Sequence, residues 1–118
     1  MIEFNHVTKT FNEKSKRLTA LSDITLSIQD GEAFGVIGES GAGKSTLLRL
    51  INALEKPTSG SVSVNRINVA DLSKAKLRET QKQIGMIFQQ FNLLNNKTVA
   101  QNVHLPLELH HYPVCFDD

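Results

Sequence analysis

An α/β fold is predicted by two apolar patterns that follow one another along the chain. Ile24, Leu26 and Ile28 alternate with polar residues, which is the period of a strand with one buried face. Further on, apolar residues recur at helical spacing and predict an amphipathic helix from about Lys44 to Leu54. Strands and helices that alternate in this way are typical of an α/β fold.

Three other segments are predicted to be strands. Ile2 to Phe11 forms the first strand, and Asn12 to Arg17 is a polar loop after it. Ala33 to Ile37 is uniformly apolar, as expected of a strand covered on both faces, and the turn signal Asp30-Gly31 precedes it. Ile84 to Phe88 is interpreted as a second apolar strand.

The middle of the chain carries signals for a hairpin and a helix. Ser61 to Val64 and Ile67 to Val69 are predicted to pair around Asn65-Arg66. Ser73 can cap a polar helix that runs through about Gln83.

A last helix is predicted near the C-terminus. Thr98-Val99-Ala100-Gln101 has the spacing of a capping box and follows the polar loop Gln89 to Lys97. Pro106 limits how far this helix runs in regular form, because proline lacks the backbone N–H.

The chemistry of the chain is indicated by a glycine-rich loop between the apolar run and the first helix. The loop fits the phosphate-binding pattern G-x-x-x-x-G-K-[ST] with Gly38-Glu39-Ser40-Gly41-Ala42-Gly43-Lys44-Ser45. Glycines let successive backbone N–H groups turn toward one cavity without a Cβ in the way. The helix that follows adds its own unpaired N–H groups and the positive end of its dipole.

Three side chains at the end of the loop have separate predicted roles. Lys44 supplies a mobile positive charge that can reach the outer phosphates. Ser45 presents a hydroxyl oxygen to Mg²⁺, a hard ion that prefers oxygen, and Thr46 can hydrogen-bond an inner phosphate. The loop from Gly38 to Thr46 is therefore predicted to bind the phosphates of a nucleotide, namely ATP with Mg²⁺.

Composition and charge exclude several other classes of function. The 13 basic and 12 acidic residues give a net charge of +1, so nucleic acid is not an expected partner. Cys115 is the only cysteine, which excludes a disulfide framework and a cysteine-rich zinc site. His104 and the adjacent His110 and His111, in an unpatterned tail, are interpreted as solvated, so no metal site is predicted from them. No signal peptide or spanning run is recognised, and a cytoplasmic location is expected.

The loop and its surroundings resemble the ATP-binding cassette (ABC) transporter ATPases, whose Walker A segment and Q-loop have matching residues here. The segments that carry the resemblance are Gly38 to Arg49, Leu21 to Ile28, Pro57 to Val62, Ile84 to Leu94, Thr98-Val99 and Asn102 to Leu109. Among ABC ATPases, the chain is most similar to the ATPase subunits of bacterial methionine importers. Lipoprotein-releasing and macrolide-exporting ATPases share many of the same residues.

The resemblance implies a P-loop NTPase fold of the ABC ATPase type, in its N-terminal part. An antiparallel β-subdomain would be followed by the start of a RecA-like core that carries the Walker A helix. This part covers residues 1–109, from the first strand through the Q-loop, and residues 110–118 form a divergent tail. We therefore expect a truncated or frameshifted product, or a cloned fragment.

Site residues and partners also follow from the resemblance. Phe11 would stack on the adenine, and Gln89 would contact Mg²⁺ or the attacking water, so that Lys44 and Gln89 are the implied catalytic residues. Phe91, Leu93 and Leu94, in the segment that resembles the family's Q-loop, would lie near the surface that docks a transmembrane permease. A second ATPase subunit is the other implied partner, and the location is the cytoplasmic face of the membrane. Taken alone, Phe11 could equally be a core residue and Gln89 a solvated one.

Several family motifs do not occur in this sequence. The LSGGQ signature, the Walker B strand ending in Asp-Glu and the switch histidine are all missing. Mg²⁺ would lack its usual aspartate, and no glutamate would polarise the attacking water. We expect weak nucleotide binding with little or no hydrolysis, and a marginally stable, aggregation-prone chain.

Three functions remain open at this point. The chain is the ATPase subunit of an ABC importer for methionine or another amino acid, or of one of the related exporters. Alternatively it is another P-loop protein such as a GTPase, although Asn95-Asn96-Lys97-Thr98 lacks the final aspartate of a guanine-reading segment. The third alternative is a non-catalytic fragment that binds nucleotide or a permease without turnover.

Overall fold

The structure is a computed structural model that describes residues 1–13 and 16–109, and the strands within them form one antiparallel sheet. The sheet has the order β2-β1-β3-β4, with β1 (Ile2–Glu13), β2 (Lys16–Ile28), β3 (Ser59–Val64) and β4 (Ile67–Asn68). The helices are α1 (Lys44–Ile51), α2 (Lys74–Lys82) and α3 (Val99–Leu109), with a short 3₁₀ helix at Val69–Asp71. None of the helices within the described ranges is long and apolar enough to span a membrane.

The chain divides into two compact units, Met1–Leu77 and Arg78–Asp118. The first unit contains the sheet, the glycine-rich loop and α1. The second contains the segment with Gln89 and α3. Each unit is described by itself. The predicted tail, residues 110–118, lies outside the described residues, together with the two tail histidines and Cys115.

The sheet of the first unit is built around a long hairpin. β1 and β2 pair from Ile2 opposite Ile28 to Asn12 opposite Arg17 and beyond. The predicted polar loop at Asn12 to Arg17 is therefore wrong, since both of its end residues are strand partners. This end of the hairpin is held by strand pairing rather than by buried side chains, since Leu18 is 60% exposed. A strand without a buried face has no alternation of apolar and polar residues by which the sequence could predict it.

A single core joins the sheet to α1. The completely enclosed side chains are Phe4 and Val7 from β1, Val62 from β3 and Leu50 from α1. Leu47 is also buried, and α1 packs against β2 and β3. The apolar face expected from the helical spacing, Leu47, Leu48, Ile51 and Leu54, is only partly correct, since Leu48 and Leu54 are 50% and 56% exposed and Leu50 is buried instead. This packing fixes the direction in which the N-terminus of α1 points.

The predicted turns of the first unit are confirmed. Gly31 has a φ of 76°, and the Glu32 N–H donates to the Gln29 carbonyl across 3.2 Å. Asn65 and Arg66 have φ values of 50° and 66° and join β3 to β4. Two successive residues with positive φ match the right-handed twist of the strands that they connect.

Two predicted strands are not observed. Ala33 to Ile37 and Ile84 to Phe88 have no strand hydrogen bonding, and Ile37 and Ile87 are 96% and 99% exposed. A strand buried on both faces forms only when neighbouring strands take up its N–H and C=O groups. Within residues 1–13 and 16–109, no strand pairs with either segment, so their apolar composition does not lead to strand structure.

The helices agree with the prediction at their starts better than at their ends. α1 begins at Lys44 as predicted but ends at Ile51 rather than Leu54, because Ala53 adopts a left-handed φ of 53°. α2 begins after Ser73, whose Oγ accepts from the Lys76 N–H at 3.5 Å. Both starts follow from interactions within a single turn.

α3 shows the predicted capping box. The Thr98 Oγ1 accepts from the Gln101 N–H at 3.2 Å, and the Gln101 Oε1 accepts from the Thr98 N–H at 2.9 Å. Pro106 does not limit the helix as predicted, since α3 continues through it to Leu109. Proline removes one hydrogen bond, and the remaining turn is short enough to tolerate that loss.

Candidate functional site

The glycine-rich loop curls tightly before α1. The Ala42 N–H donates to the Glu39 carbonyl across 3.1 Å and closes a turn in the middle of the loop. Gly41 and Gly43 have φ values of 83° and 94°, which residues with a Cβ rarely adopt. Glycine thus stands at the two loop positions where the backbone turns into the left-handed region. The pattern fixes Gly43, whereas Gly41 occupies one of its variable positions.

The ammonium group of Lys44 lies against the start of the loop. Its Nζ donates to the carbonyl of Gly38 at 2.6 Å and to that of Glu39 at 2.7 Å. The side chain therefore folds back along the loop and brings a positive charge beside the backbone that precedes it. An ammonium group has three N–H donors, so these two contacts leave one donor for another acceptor.

The N-terminus of α1 is not capped by a side chain. Gly43 is the N-cap residue, and since it has no side chain, no oxygen of its own reaches the first turn. The Gly43 carbonyl already accepts the Leu47 N–H at 2.9 Å, as the start of a helix requires. The N–H groups of Lys44, Ser45 and Thr46 stand in the first turn, where no intrahelical acceptor exists for them. This end of the helix is suited to an anion.

The loop is fixed to the sheet at Gly43. The strand register has Lys9 opposite Leu21 and Thr10 opposite Thr19, so Ala20 is an extra residue that forms a bulge in β2. A Cβ added to Gly43 would lie 2.5 Å from the Ala20 carbonyl oxygen. Glycine is therefore required here for close approach as well as for its φ.

A cavity of about 370 Å³ lies on the sheet side of the loop. Its lining comes from β2, from the apolar segment before the loop and from α1, and Lys44 is the only charged residue in it. An apolar lining does not suit phosphate, which needs hydrogen-bond donors. The exposed backbone of the loop, rather than the apolar wall of the cavity, carries such donors.

Phe11 lies near the end of β1, on the strand beside the bulge. It pairs with Leu18, which is two residues from Ala20, so its backbone is about 8 Å from the point where the loop meets the sheet. The ring is half-buried, and the Lys9 Nζ lies 4.8 Å from its centroid. Lys9 was not identified from the sequence, because two of its partners, Glu55 and Lys56, are more than forty residues away in the chain.

Gln89 belongs to the second unit and lies in an irregular, exposed segment. The contact predicted between Gln89 and a metal ion beside Ser45 therefore stays a prediction.

Further along this segment, Asn102 of α3 holds the chain in place. Its Nδ2 donates to the carbonyls of Leu94, Lys97 and Thr98 at 2.9 to 3.3 Å, and its Oδ1 accepts from the Leu94 N–H at 2.8 Å.

Few of the described residues near the loop offer an oxygen ligand to Mg²⁺. Ser45 is exposed in the first turn of α1, beside the uncapped N–H groups. No group of three or more His, Cys, Asp or Glu side chains that could hold a metal occurs among residues 1–13 and 16–109. A protein site with one hydroxyl fits Mg²⁺ that arrives with a nucleotide, because this ion is usually held by few protein ligands together with phosphate oxygens and water.

Known proteins that are similar to this chain match most of its length. The model of the ABC transporter family matches residues 21–116, which is more than half of the chain. A methionine import ATP-binding protein from Sodalis glossinidius is 55% identical over 96% of this chain, and one from Vibrio vulnificus is 59% identical over 92%. This chain covers 33% and 32% of those two proteins, so it spans about a third of the length of these curated relatives.

Solved structures agree with the sequence relatives. The ATP-binding cassette MJ0796, in a dimeric post-hydrolysis state bound to ADP and phosphate, matches with a TM-score of 0.89 and 38% identity. The match covers 98% of this chain and 50% of that one. The predicted fold, the N-terminal part of an ABC-type P-loop ATPase with an antiparallel β-sheet and the Walker A helix, is confirmed.

Proposed function

Because the chain belongs to the ABC transporter family, we propose that its Gly38–Thr46 loop binds the phosphates of ATP with Mg²⁺. The observation that carries the proposal is the position of Lys44, whose ammonium group lies against the loop carbonyls while one of its donors remains available. The uncapped first turn of α1 supports the same conclusion, since its N–H groups are oriented for an anion.

Each part of the loop has its own role in this proposal. The backbone N–H groups of Glu39, Ser40, Gly41 and Gly43 donate to the inner phosphates, whereas that of Ala42 donates to the Glu39 carbonyl within the loop. Lys44 donates to the outer phosphates. Thr46, half-buried in the first turn, hydrogen-bonds an inner phosphate. Ser45 holds Mg²⁺, which supplies charge that offsets the negative phosphates. The role proposed for Gln89, a contact with Mg²⁺ or with the attacking water, rests on the family alone.

The nucleobase is proposed to stack on Phe11. The ring stands on the strand next to the bulge that receives Gly43, so one ligand can reach both the ring and the loop. An aromatic face accepts any base, and the choice of adenine over guanine rests on family membership. Comparing ATP with GTP binding tests that choice and separates this proposal from a GTPase.

The wider role that we propose is the ATP-binding subunit of a methionine importer. It rests on relatives named as methionine import ATP-binding proteins, of which this chain spans about a third. In that role the partners are a transmembrane permease and a second ATPase subunit, at the cytoplasmic face of the membrane. A lipoprotein-releasing or macrolide-exporting system is the alternative.

A second candidate is nucleotide binding without efficient hydrolysis. Lys44 and Ser45 bind and orient phosphate and metal, but a protonated ammonium group and a hydroxyl do not serve as the base for an attacking water. ATPase activity measured on the same sample as ATP binding separates the two candidates. Binding without phosphate release supports the second.

The phosphate site is tested with Lys44→Ala. Removing a charge-assisted contact worth about 1.5–3 kcal/mol should lower the affinity for Mg²⁺-ATP roughly 10- to 150-fold. Isothermal titration calorimetry measures the change, and circular dichroism confirms that the variant is folded. Lys74→Ala, at an exposed position at the start of α2, removes the same charge and should leave the affinity unchanged.

Equal affinities of the wild-type protein and Lys44→Ala would contradict the assignment of Lys44 to the phosphates. Equal losses in Lys44→Ala and Lys74→Ala would mean that net charge, rather than a local contact, determines the affinity.

A further inference from the structure

Lys9 makes three contacts that together fix its side chain. Its Nζ lies 2.9 Å from the Glu55 Oε2 and donates to the Lys56 carbonyl at 2.8 Å. The same atom lies 4.8 Å from the centroid of the Phe11 ring. The side chain is only 13% exposed, and that of Glu55 is 29% exposed. A lysine side chain is usually solvated and mobile, so this degree of burial indicates a defined position.

The contacts place a cation on one face of the Phe11 ring. Lys9 and Phe11 are two residues apart on β1, which puts their side chains on the same side of the strand. A cation over an aromatic face is attracted by the electron density of the ring and restricts the rotation of the ring. Because Lys9 occupies one face of Phe11, a stacked base would use the opposite face.

The other two partners of Lys9 follow the C-terminal end of α1. Glu55 and Lys56 lie just after the helix, and the Glu55 N–H donates to the Arg49 carbonyl of its last turn at 3.1 Å. The helix that begins at the phosphate loop is thus connected at its far end, through Lys9, to the strand that carries Phe11. The connection holds the ring at a fixed position relative to the loop.

We propose that Lys9 is a positioning residue for the nucleobase, which holds the Phe11 ring ready to stack by linking it to Glu55 at the end of the phosphate-binding helix. This inference rests on the proposed function, since it requires that Phe11 contacts the base. Lys9 itself would touch neither the base nor the phosphates.

The test uses the whole chain and two ligands, Mg²⁺-ATP and Mg²⁺-tripolyphosphate, which has the phosphates without the base. Lys9→Met keeps the length of the side chain but removes the charge. It should lower the affinity for ATP by about 3- to 10-fold, because binding of the base would then have to order a ring that Lys9 no longer holds. The affinity for tripolyphosphate should stay unchanged. Phe11→Ala should lower the ATP affinity about 5-fold or more, and it should also leave the affinity for tripolyphosphate unchanged.

A double-mutant cycle shows whether Lys9 acts through Phe11. In the Phe11→Ala background, Lys9→Met should cause no further loss of ATP affinity. Equal losses in both backgrounds, or a loss of tripolyphosphate affinity, would overturn the proposal, because Lys9 would then act on the phosphates or on stability. Lys74→Met serves as the charge control.

Two further results keep the inference distinct from the proposed function. If Phe11→Ala weakens ATP binding but Lys9→Met does not, the positioning role is overturned while base stacking stands. If the wild-type protein binds neither ligand, the proposed function fails, and the inference fails with it. Where Lys9→Met does not fold, Glu55→Gln replaces it. A selective loss of ATP affinity then supports the proposal, and an unchanged affinity overturns it.

Discussion

At the residue scale, Gly43 connects the fold to the phosphate site. Its φ of 94° lies in the left-handed region, and it is the N-cap of α1. A Cβ at this position would also approach the Ala20 carbonyl oxygen to 2.5 Å and Leu21 Cδ2 to 3.1 Å. The glycine of the motif is therefore needed twice, once for the turn and once for contact with the bulge in β2.

Gly43→Ala should destabilise the chain and weaken nucleotide binding together. The left-handed conformation alone costs about 1–2 kcal/mol with a Cβ, and the overlap with the Ala20 carbonyl adds to it. Urea denaturation measures the stability, and calorimetry measures the binding of Mg²⁺-ATP. Gly35→Ala is the control, since a Cβ there meets nothing within 4 Å. A Gly43→Ala variant as stable as wild type would show that the loop is not held against β2.

At the element scale, α3 starts from a network of side chains that also fixes the preceding loop. The capping box of Thr98 and Gln101 satisfies the first N–H groups of the helix. The Asn102 Oδ1 accepts a hydrogen bond from the Leu94 N–H at 2.8 Å, and the Asn102 Nδ2 donates one to the Leu94 carbonyl at 3.2 Å. The loop that carries the proposed permease-docking residues is thereby held to the start of the helix.

Asn102→Ala should loosen this loop without melting the sheet of the first unit. The Leu94 amide would lose its acceptor, and a hydrogen bond worth about 1 kcal/mol corresponds to about a 5-fold faster amide exchange. Hydrogen exchange followed by NMR reports on this single amide. Thr98→Ser, which keeps the capping hydroxyl, should leave the exchange rate of Leu94 near the wild-type value. Unchanged exchange in Asn102→Ala would mean that Leu94 is protected by something else.

At the scale of the whole molecule, large apolar side chains are exposed in both described units. Ile37 in the first unit and Ile87 and Phe91 in the second are 96%, 99% and 92% exposed. Exposed apolar surface of this kind favours association. The marginal stability and the aggregation expected from the sequence stay predictions, and a sharp, reversible thermal transition of the monomer would contradict them.

Replacing Ile87 and Phe91 with serine should raise the concentration at which the chain aggregates. Both side chains are almost fully exposed, so the exchange removes little buried surface and should change the unfolding free energy by less than about 0.5 kcal/mol. Light scattering and urea denaturation measure the two effects. Leu50→Ser is the contrasting variant, because Leu50 is completely buried and its loss should unfold the first unit. Aggregation unchanged by the double substitution would place its cause elsewhere.

Features that depend on neighbours within a few residues could be predicted from the sequence. The loop from Gly38 to Ser45, the start of α1, the turn at Asn65-Arg66 and the capping box at Thr98 all follow from local hydrogen bonds or from the φ that a residue type allows. Such interactions span one turn, so the residues that make them stand together in the chain.

Features that depend on residues distant in the chain could not be predicted and are seen only in the folded protein. Ala33 to Ile37 has the composition of a buried strand, yet a strand needs neighbours for its backbone groups, and the described part of the chain has none beside it. The polar residues Asn12, Glu13, Lys16 and Arg17 form strand because they pair with each other across a hairpin. Lys9 acquires its role from Glu55 and Lys56, which the sheet and α1 bring next to it. Periodicity describes which face of an element is apolar, whereas pairing and contact depend on what the folded chain places opposite that face.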